Sequence, residues 1–151
     1  MAVTVVFFDL GETLVTTPRR WLPGAQLLLN SLRQSGFRLG IISNTGGLTT
    51  RAAILNVLPT GFDPGAFEAS LALFSSEVGK EKPHRAIFEM AVARANTPAN
   101  KCLYCSEDIV ETLMAQQVGM RSIRVQTRPN SDLSVLQQRI MDFQALIRKE
   151  K

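Results

Sequence analysis

The sequence predicts an α/β fold in which helices cover both faces of a parallel β-sheet. Strand-length apolar runs alternate five times with segments of helical periodicity, and such alternation produces right-handed crossovers between parallel strands. The first run, residues 3–8, is almost continuously apolar, as expected of a strand that is buried on both faces. Gly and Pro residues mark the ends of several helical segments.

The N-terminal half is predicted to supply three strands and two helices. Val3–Phe8 is a β-branched and aromatic run that ends at Asp9. Pro23 suits a first helical turn and Gly36 suits the position just past a helix end, so we predict a helix over Pro23–Ser35. The following elements are predicted as a strand, a helix stopped by Pro59, a loop and a short strand: Phe37–Ile42, Thr49–Leu58, Thr60–Ala66 and Leu71–Phe74.

The C-terminal half is predicted to add three helices and two strands. In order, they are the helix Pro83–Ala95, the strand Lys101–Cys105, the helix Ile109–Val118, the strand Ser122–Val125 and a terminal helix over about residues 131–148. The apolar positions of the terminal helix are Leu133, Leu136, Ile140, Phe143 and Ile147. We predict that they pack on the chain's own sheet, the alternative being a contact in a homo-oligomer. The chain, residues 1–151, is predicted to form one domain.

Composition excludes several classes of protein. The 151 residues are 45% hydrophobic and 20% charged, as in globular proteins. The sequence has neither an apolar run of about 18 residues nor the basic, then apolar N-terminus of a secretory signal, which predicts a cytoplasmic protein without a membrane partner. The net charge of +4 is scattered, which argues against a nucleic-acid surface and is compatible with an anionic ligand.

The two cysteines and the single histidine are not predicted to form a site. Cys102 and Cys105 have the spacing of a zinc or redox pair. Within a strand, however, that spacing directs the two side chains to opposite faces, which favours packing in the core. His84 follows Pro83 in a first helical turn, where we expect it at the surface.

Polar side chains follow four of the predicted strands. Ligands of doubly wound folds bind beyond the carboxyl ends of the strands, so these residues are candidates for a common site. Each alone has a simpler explanation as a helix cap, a surface lysine or an acidic first helical turn. Together, a carboxylate nucleophile, an anion-binding loop, a lysine and metal-binding carboxylates are the parts needed for phosphoryl transfer: Asp9; Ser43 and Asn44; Lys82; Glu107, Asp108 and Glu111.

These segments resemble the four motifs of the haloacid dehalogenase-like (HAD) hydrolases, in the order of that family. The match runs from about residue 3 to residue 125. The motifs are Phe7-Phe8-Asp9-Leu10-Gly11-Glu12-Thr13-Leu14, Ile41-Ile42-Ser43-Asn44-Thr45, Lys82-Pro83 with Ile87-Phe88, and Leu103-Tyr104-Cys105-Ser106-Glu107-Asp108 with Glu111 and Val118-Gly119-Met120.

The resemblance implies a role for each motif. Asp9 would attack phosphorus and carry an aspartyl-phosphate, and the carbonyl of Gly11 would join Asp9 and a carboxylate of the fourth motif around Mg²⁺. Ser43 and Lys82 would hold the phosphoryl oxygens, helped by the backbone of Asn44. The family fold further implies the strand order 5-4-1-2-3 and a phosphatase acting on a phosphorylated small molecule or an extended substrate.

Two departures from the family pattern leave alternatives open. Most phosphatases of the family carry a second Asp as general acid at the position of Gly11. A HAD-like binding or regulatory module with little turnover is therefore the alternative, unless Glu12 or water replaces the acid. The fourth motif reads Ser106-Glu107 where Gly-Asp is usual, so Glu107 is the favoured metal ligand and Asp108 its rival.

The spacing of the motifs leaves no room for a separate cap domain. Residues 10–42 and 44–81 are consumed by the predicted strands, helices and turns. We therefore predict an open site, which would take a large or extended substrate or borrow a lid from a neighbouring subunit. A dehalogenase also uses an Asp nucleophile, but its substrate pocket draws on a cap, so halide release is not expected.

Overall fold

The computed structural model describes residues 2–16, 19–125 and 133–149. Its strands and helices, in chain order, are β1 (Val5–Phe8), β2 (Val15–Thr16), β3 (Arg20–Trp21), α1 (Ala25–Gln34), β4 (Arg38–Ser43), α2 (Arg51–Asn56), β5 (Ala72–Phe74), α3 (Ser75–Val78), α4 (Arg85–Ala95), β6 (Cys102–Ser106), α5 (Ile109–Gln117), β7 (Arg121–Arg124) and α6 (Ser134–Lys149). Short 3₁₀ turns lie at Pro64–Ala66, Ala69–Leu71 and Ala99–Lys101.

Five parallel strands form the main sheet, in the order β5-β4-β1-β6-β7. The short strands β2 and β3 form a separate antiparallel pair that we did not predict. When only the strands of the main sheet are numbered, 1 to 5 in chain order, and the sheet is read from the β7 edge, the order is 5-4-1-2-3. The α/β fold and its strand order are therefore confirmed.

The strand β1 lies at the centre of the sheet and is buried on both faces. Val6 and Phe8 point into one apolar cluster, with Leu28 and Leu32 of α1. Val5 and Phe7 belong to the opposite cluster, which α4 and α5 complete. This double burial explains why the first strand is a continuous apolar run rather than an alternating one.

Most predicted boundaries shift by one or two residues, for local reasons. Gly24 adopts a left-handed conformation with φ 83°, so α1 begins after it rather than at Pro23. The helix α4 begins at Arg85 rather than Pro83 because His84 is extended, with ψ 136°. The helix α3 was not predicted, and it ends at Gly79, whose φ is 73°.

The terminal helix α6 packs on the chain's own sheet, as predicted. Leu136 and Ile140 are buried in the same cluster as Val6. The Gln144 amide is buried and pairs with the backbone N–H and C=O of Val3, both at 2.9 Å. Ser131 and the side chains of Phe143 and Ile147 lie outside the described residues.

The cysteines occupy opposite faces of the sheet, as predicted. Cys102 and Cys105 are free and buried in different clusters. Burial raises the pKa of Cys102 to about 11 and also raises that of Cys105, so both act as apolar packing groups.

His84 is exposed, as expected. No helix among the described residues is long and apolar enough to cross a membrane.

Candidate active site

The predicted site residues meet at the carboxyl edge of the sheet. Asp9 directly follows β1, Ser43 ends β4, and Ser106 ends β6. These three strands are neighbours, with β1 in the middle. Lys82 reaches the same place from the segment after α3, so the convergence expected from strand topology is present.

The carboxylate of Asp9 is held at both oxygens. It is 7% exposed. Its Oδ1 accepts hydrogen bonds from the Leu10 N–H at 2.9 Å and the Lys82 ammonium at 2.8 Å. Its Oδ2 lies 3.3 Å from the hydroxyls of Thr13 and Ser106. Burial raises the pKa of Asp9, and the adjacent Lys82 charge opposes that rise. The result is a carboxylate with a fixed direction.

Lys82 lies between two carboxylates, buried rather than solvated. Its Nζ is 2.8 Å from Asp9 Oδ1 and 2.8 Å from Glu111 Oε1. It also donates to the Tyr104 hydroxyl at 3.1 Å. The Lys82 side chain is 2% exposed, which is rare for lysine unless it is paired. The surface location that lysine usually has is therefore excluded here.

Tyr104 and Glu111 complete the surroundings of Lys82. The Tyr104 hydroxyl donates to Glu111 Oε1 at 2.6 Å. Burial first, and then Asp9 and Glu111, hold the pKa of Tyr104 well above its ordinary value, so the phenol stays a donor. Glu111 therefore helps to hold the Lys82 ammonium, both directly and through the Tyr104 hydroxyl.

Asn44 positions Lys82 through its side chain. The Asn44 amide donates to the Lys82 C=O at 3.0 Å and accepts from the Lys82 N–H at 2.8 Å. Sequence comparison implied only a backbone role for Asn44. The neighbouring Ser43 hydroxyl is 3.4 Å from the Asn44 carbonyl, at the end of a strand that pairs directly with β1. The second motif therefore ends at the carboxyl edge of the sheet, and its Asn44 holds the backbone of Lys82 in the third motif.

The acidic residues of the fourth motif are differentiated by their partners. Asp108 caps α5, accepting at one oxygen from the N–H groups of Val110 at 2.8 Å and Glu111 at 3.1 Å. Glu107 is half-buried. Burial raises its pKa, and the charges of Asp9, Asp108, Glu111 and Glu12 raise it further. The carboxylate of Glu107 is therefore under the influence of several other negative charges, of which that of Asp9 is the largest.

These donors fit a hard cation. Mg²⁺ prefers oxygen ligands and usually binds through one or two carboxylates, with water and substrate oxygens completing the shell. Asp9, Glu107 and the carbonyl of Gly11 are such donors. The described ranges contain no group of three or more His, Cys, Asp or Glu side chains arranged around a metal, and a site with two carboxylates does not require one.

Gly11 and Glu12, which follow the nucleophile candidate, differ in backbone conformation and in side-chain contacts. Gly11 is exposed, its φ lies outside the left-handed region, and a Cβ added to it meets no heavy atom within 4 Å. Glu12 has φ 59°, and its Oε1 accepts from the Thr16 hydroxyl at 3.0 Å. A Cβ at position 11 would therefore meet no steric obstacle.

Sequence reasoning missed three hydroxyls of the site. Thr13 and Ser106 contact Asp9, and Tyr104 contacts Lys82. The signal for two of them was available, because residues two apart in a strand share a face and Tyr104 and Ser106 precede the acidic segment by that spacing. Thr13 lies in a turn, where no periodicity applies.

Replacing Lys82 is expected to destabilise the protein. Lys82→Met removes the cation that pairs with the buried carboxylate of Asp9 and the half-buried carboxylate of Glu111, and the loss of one member of a buried ion pair typically costs about 3–5 kcal/mol. The free energy of unfolding in urea at neutral pH measures the effect. Lys82→Met/Glu111→Gln should recover part of the loss, and Lys80→Met, at an exposed lysine, should cost less than about 0.5 kcal/mol. Equal stabilities of Lys82→Met and Lys80→Met would contradict this assignment.

Several known proteins are similar to this chain in sequence. The sequence profile of the haloacid dehalogenase-like hydrolases matches residues 12–125. A glyceraldehyde 3-phosphate phosphatase from Pyrococcus abyssi is 31% identical over 105 residues, which are 69% of this chain and 42% of that protein. Haloacid dehalogenase-like hydrolase domain-containing protein 3 from Xenopus laevis is 26% identical over 131 residues, 83% of this chain and 51% of that protein.

A solved structure shows the same fold. A HAD family enzyme from Bacteroides thetaiotaomicron, in complex with magnesium and inorganic phosphate, superposes with a TM-score of 0.63 at 13% identity, over 89% of this chain and 98% of that one. The present chain spans about half the length of the curated relatives it matches. Because the family profile matches residues 12–125, which are most of the sequence and include the second, third and fourth motifs, the chain belongs to the haloacid dehalogenase-like hydrolases.

Proposed function

We propose that the chain is a Mg²⁺-dependent phosphomonoester phosphatase that acts through Asp9. The observation that carries the proposal is the pairing of Asp9 Oδ1 with the buried Lys82 ammonium at 2.8 Å, at the carboxyl end of the central strand. A fixed carboxylate beside a cation can attack phosphorus while the charge of the phosphoryl group is neutralised.

The proposed reaction has two displacements. An oxygen of Asp9 forms a bond to phosphorus while the bond from phosphorus to the ester oxygen breaks. The alkoxide leaves with that oxygen and takes a proton from solvent water to become the alcohol. Water then attacks the phosphorus of the aspartyl-phosphate while the bond between phosphorus and the Asp9 oxygen breaks. Phosphate is released, the carboxylate is restored, and the proton of the attacking water passes to solvent. Lys82 and the Ser43 hydroxyl hold phosphoryl oxygens throughout, and Asn44 keeps Lys82 in place through its two hydrogen bonds.

Asp9, Glu107 and the Gly11 carbonyl would hold the Mg²⁺ ion. When bound, the ion would supply positive charge against the phosphoryl oxygens. Glu107 is favoured over Asp108 because the Asp9 charge acts on its carboxylate, whereas Asp108 is directed to the cap of α5, where its Oδ1 accepts two N–H groups. Glu111 is bound to Lys82 and to Tyr104, which assigns it to positioning.

The proposed site is open and lacks a cap. In the described residues, the stretch between Asp9 and Ser43 contains β2, β3 and α1, and the stretch between Ser43 and Lys82 contains α2, two 3₁₀ turns, β5 and α3. Neither holds a further folded unit. A phosphorylated small molecule or the end of an extended substrate could then reach Asp9 directly.

A binding or regulatory module is the second candidate function. It is favoured by Gly11, which cannot protonate a leaving alkoxide, and by Glu12, whose carboxylate is engaged with Thr16. General acid–base help is typically worth about 10²–10⁴-fold in rate. Absence of turnover with every phosphate ester, in a folded protein that binds phosphate, would favour this candidate.

The metal requirement distinguishes the two acidic neighbours. Phosphate release from an aryl phosphate should depend on Mg²⁺ and stop in excess chelator. Loss of even an outer-shell partner costs about 10–100-fold in metal affinity, so Glu107→Gln should raise the half-saturating Mg²⁺ concentration by at least about tenfold.

Asp108→Asn is the matched control, because Asn is an equally good helix cap and the Mg²⁺ requirement should stay unchanged. Turnover that persists in chelator would contradict the metal assignment. A larger effect of Asp108→Asn than of Glu107→Gln would exchange the two roles.

A further inference from the structure

We propose that a cavity beside the second motif receives the organic group of the substrate, and that this group is compact, apolar and without a second negative charge. This inference rests on the proposed phosphatase function and specifies its substrate class. It depends on where the cavity opens, what lines it, how large it is and which charge stands at its edge.

The cavity adjoins the residues that would hold the phosphoryl group. Gly11, Ser43 and Asn44 form part of its lining. Gly11 is two residues from the nucleophile candidate, and Ser43 would hold a phosphoryl oxygen. An ester with its phosphorus at Asp9 would then direct its alcohol portion toward this cavity.

The remaining lining is mostly apolar. Leu10, Val15, Ile54 and Leu58 are 2–7% exposed and line the cavity from the first motif, β2 and the region of α2. Val57, which is 46% exposed, lies at the same lining. Burying an apolar group here removes it from water, whereas a sugar or polyol would lose hydrogen bonds that this wall cannot replace.

The size of the cavity limits the ligand. Its volume is about 270 Å³. An apolar protein cavity of about 150 Å³ holds benzene, so this one admits a single substituted ring or a short branched alkyl group. An extended substrate would insert one such group at its phosphorylated end.

The Glu12 carboxylate lines the cavity and disfavours ligands that carry a second negative charge. Glu12 is exposed, lines the cavity, and is bonded to Thr16, which also lines it. A second carboxylate or phosphate on the ligand would approach this charge, and like charges brought together oppose binding. The preferred ester therefore carries its negative charge only on the phosphoryl group.

The test compares three phosphate esters whose parent alcohols have similar acidity: benzyl phosphate, 2-hydroxyethyl phosphate and 2-phosphoglycolate. An apolar group the size of one methylene is worth about tenfold or more in an apolar pocket. We expect kcat/KM for benzyl phosphate to exceed that for 2-hydroxyethyl phosphate by at least that factor, with 2-phosphoglycolate hydrolysed most slowly.

Two variants test whether the cavity causes the preference for benzyl phosphate over 2-hydroxyethyl phosphate. Val57→Asn places an amide at the wall of the cavity and should reduce the advantage of benzyl phosphate by about threefold to tenfold, with little change for 2-hydroxyethyl phosphate. Leu27→Asn makes a similar change at an exposed position of α1 that is 72% exposed and does not line the cavity. It should leave the ratio between the two esters unchanged.

The outcomes separate this inference from the proposed function. Hydrolysis of all three esters at similar efficiency, or equal effects of Val57→Asn and Leu27→Asn, would overturn the substrate class and leave the phosphatase intact. If neither these esters nor an activated aryl phosphate is hydrolysed, the phosphatase proposal fails. Binding of benzylphosphonate and methylphosphonate, measured by calorimetry, then decides the cavity: tighter benzylphosphonate binding supports it, and equal binding overturns it.

Discussion

Asp9→Asn is expected to abolish phosphate release, lowering kcat by about 10⁴-fold or more, the scale seen when other enzymes lose a covalent nucleophile. Asn has nearly the same shape and retains a carbonyl oxygen that can accept from the Leu10 N–H and the Lys82 ammonium. Lys82 also keeps Glu111 as its partner. The variant should therefore fold, and a thermal unfolding curve recorded beside the activity assay establishes that it does.

The matched control for this change is Asp63→Asn. Asp63 caps a 3₁₀ turn by accepting from the Gly65 N–H at 2.8 Å, away from the site, and Asn can do the same. Its activity should equal that of the unmodified protein. If Asp9→Asn retained activity comparable to Asp63→Asn, Asp9 would not be the nucleophile.

Gly11→Asp is expected to accelerate the hydrolysis of alkyl phosphates by about 10²–10⁴-fold, the usual contribution of a general acid. The structure accommodates the change, because the backbone at Gly11 is not left-handed and a Cβ there has open space. Aryl phosphates with activated leaving groups need little protonation, so their rate of ester cleavage should change much less. Single-turnover rates of alcohol release from one ester of each kind measure the difference, because they report ester cleavage and not the later hydrolysis of the aspartyl-phosphate.

Gly11→Asn separates acid catalysis from size. The amide has the same volume as the carboxyl group but cannot donate a proton to the leaving oxygen at neutral pH. Alkyl phosphates should therefore respond to Gly11→Asp and not to Gly11→Asn. If the two variants behaved alike, or if alkyl and aryl esters were accelerated equally, the missing acid would not explain the chemistry of this site.

The convergence of the main site residues at one edge of the sheet could be predicted, because it depends on strand topology. Asp9, Ser43 and the acidic segment after β6 each follow a strand, and parallel strands bring their carboxyl ends to one edge. The apolar run of β1 identified a strand buried on both faces, since only such a strand dispenses with alternation. The short helix α3, Ser75–Val78, was missed because four residues carry no measurable periodicity.

The separate roles of the individual site residues could not be predicted from the sequence. Glu107 and Asp108 are adjacent carboxylates, and only the structure shows that Asp108 accepts two backbone N–H groups. The amide of Asn44 binds the backbone of Lys82, a residue 38 positions away, and Glu111 binds its ammonium. Contacts of this kind depend on side-chain directions in loops, which sequence spacing does not encode.

The most direct test of Asp9 catalysis is an acid-quench experiment with an activated aryl phosphate. Cleavage of this ester needs no acid, while the following hydrolysis lacks the base that most family phosphatases have at position 11. We therefore expect a burst of aryl alcohol equal to the enzyme concentration and, by peptide mass mapping, one phosphoryl group on Asp9. Turnover without a burst and without phosphorylated Asp9, or a phosphoryl group on another residue, would contradict the proposed mechanism.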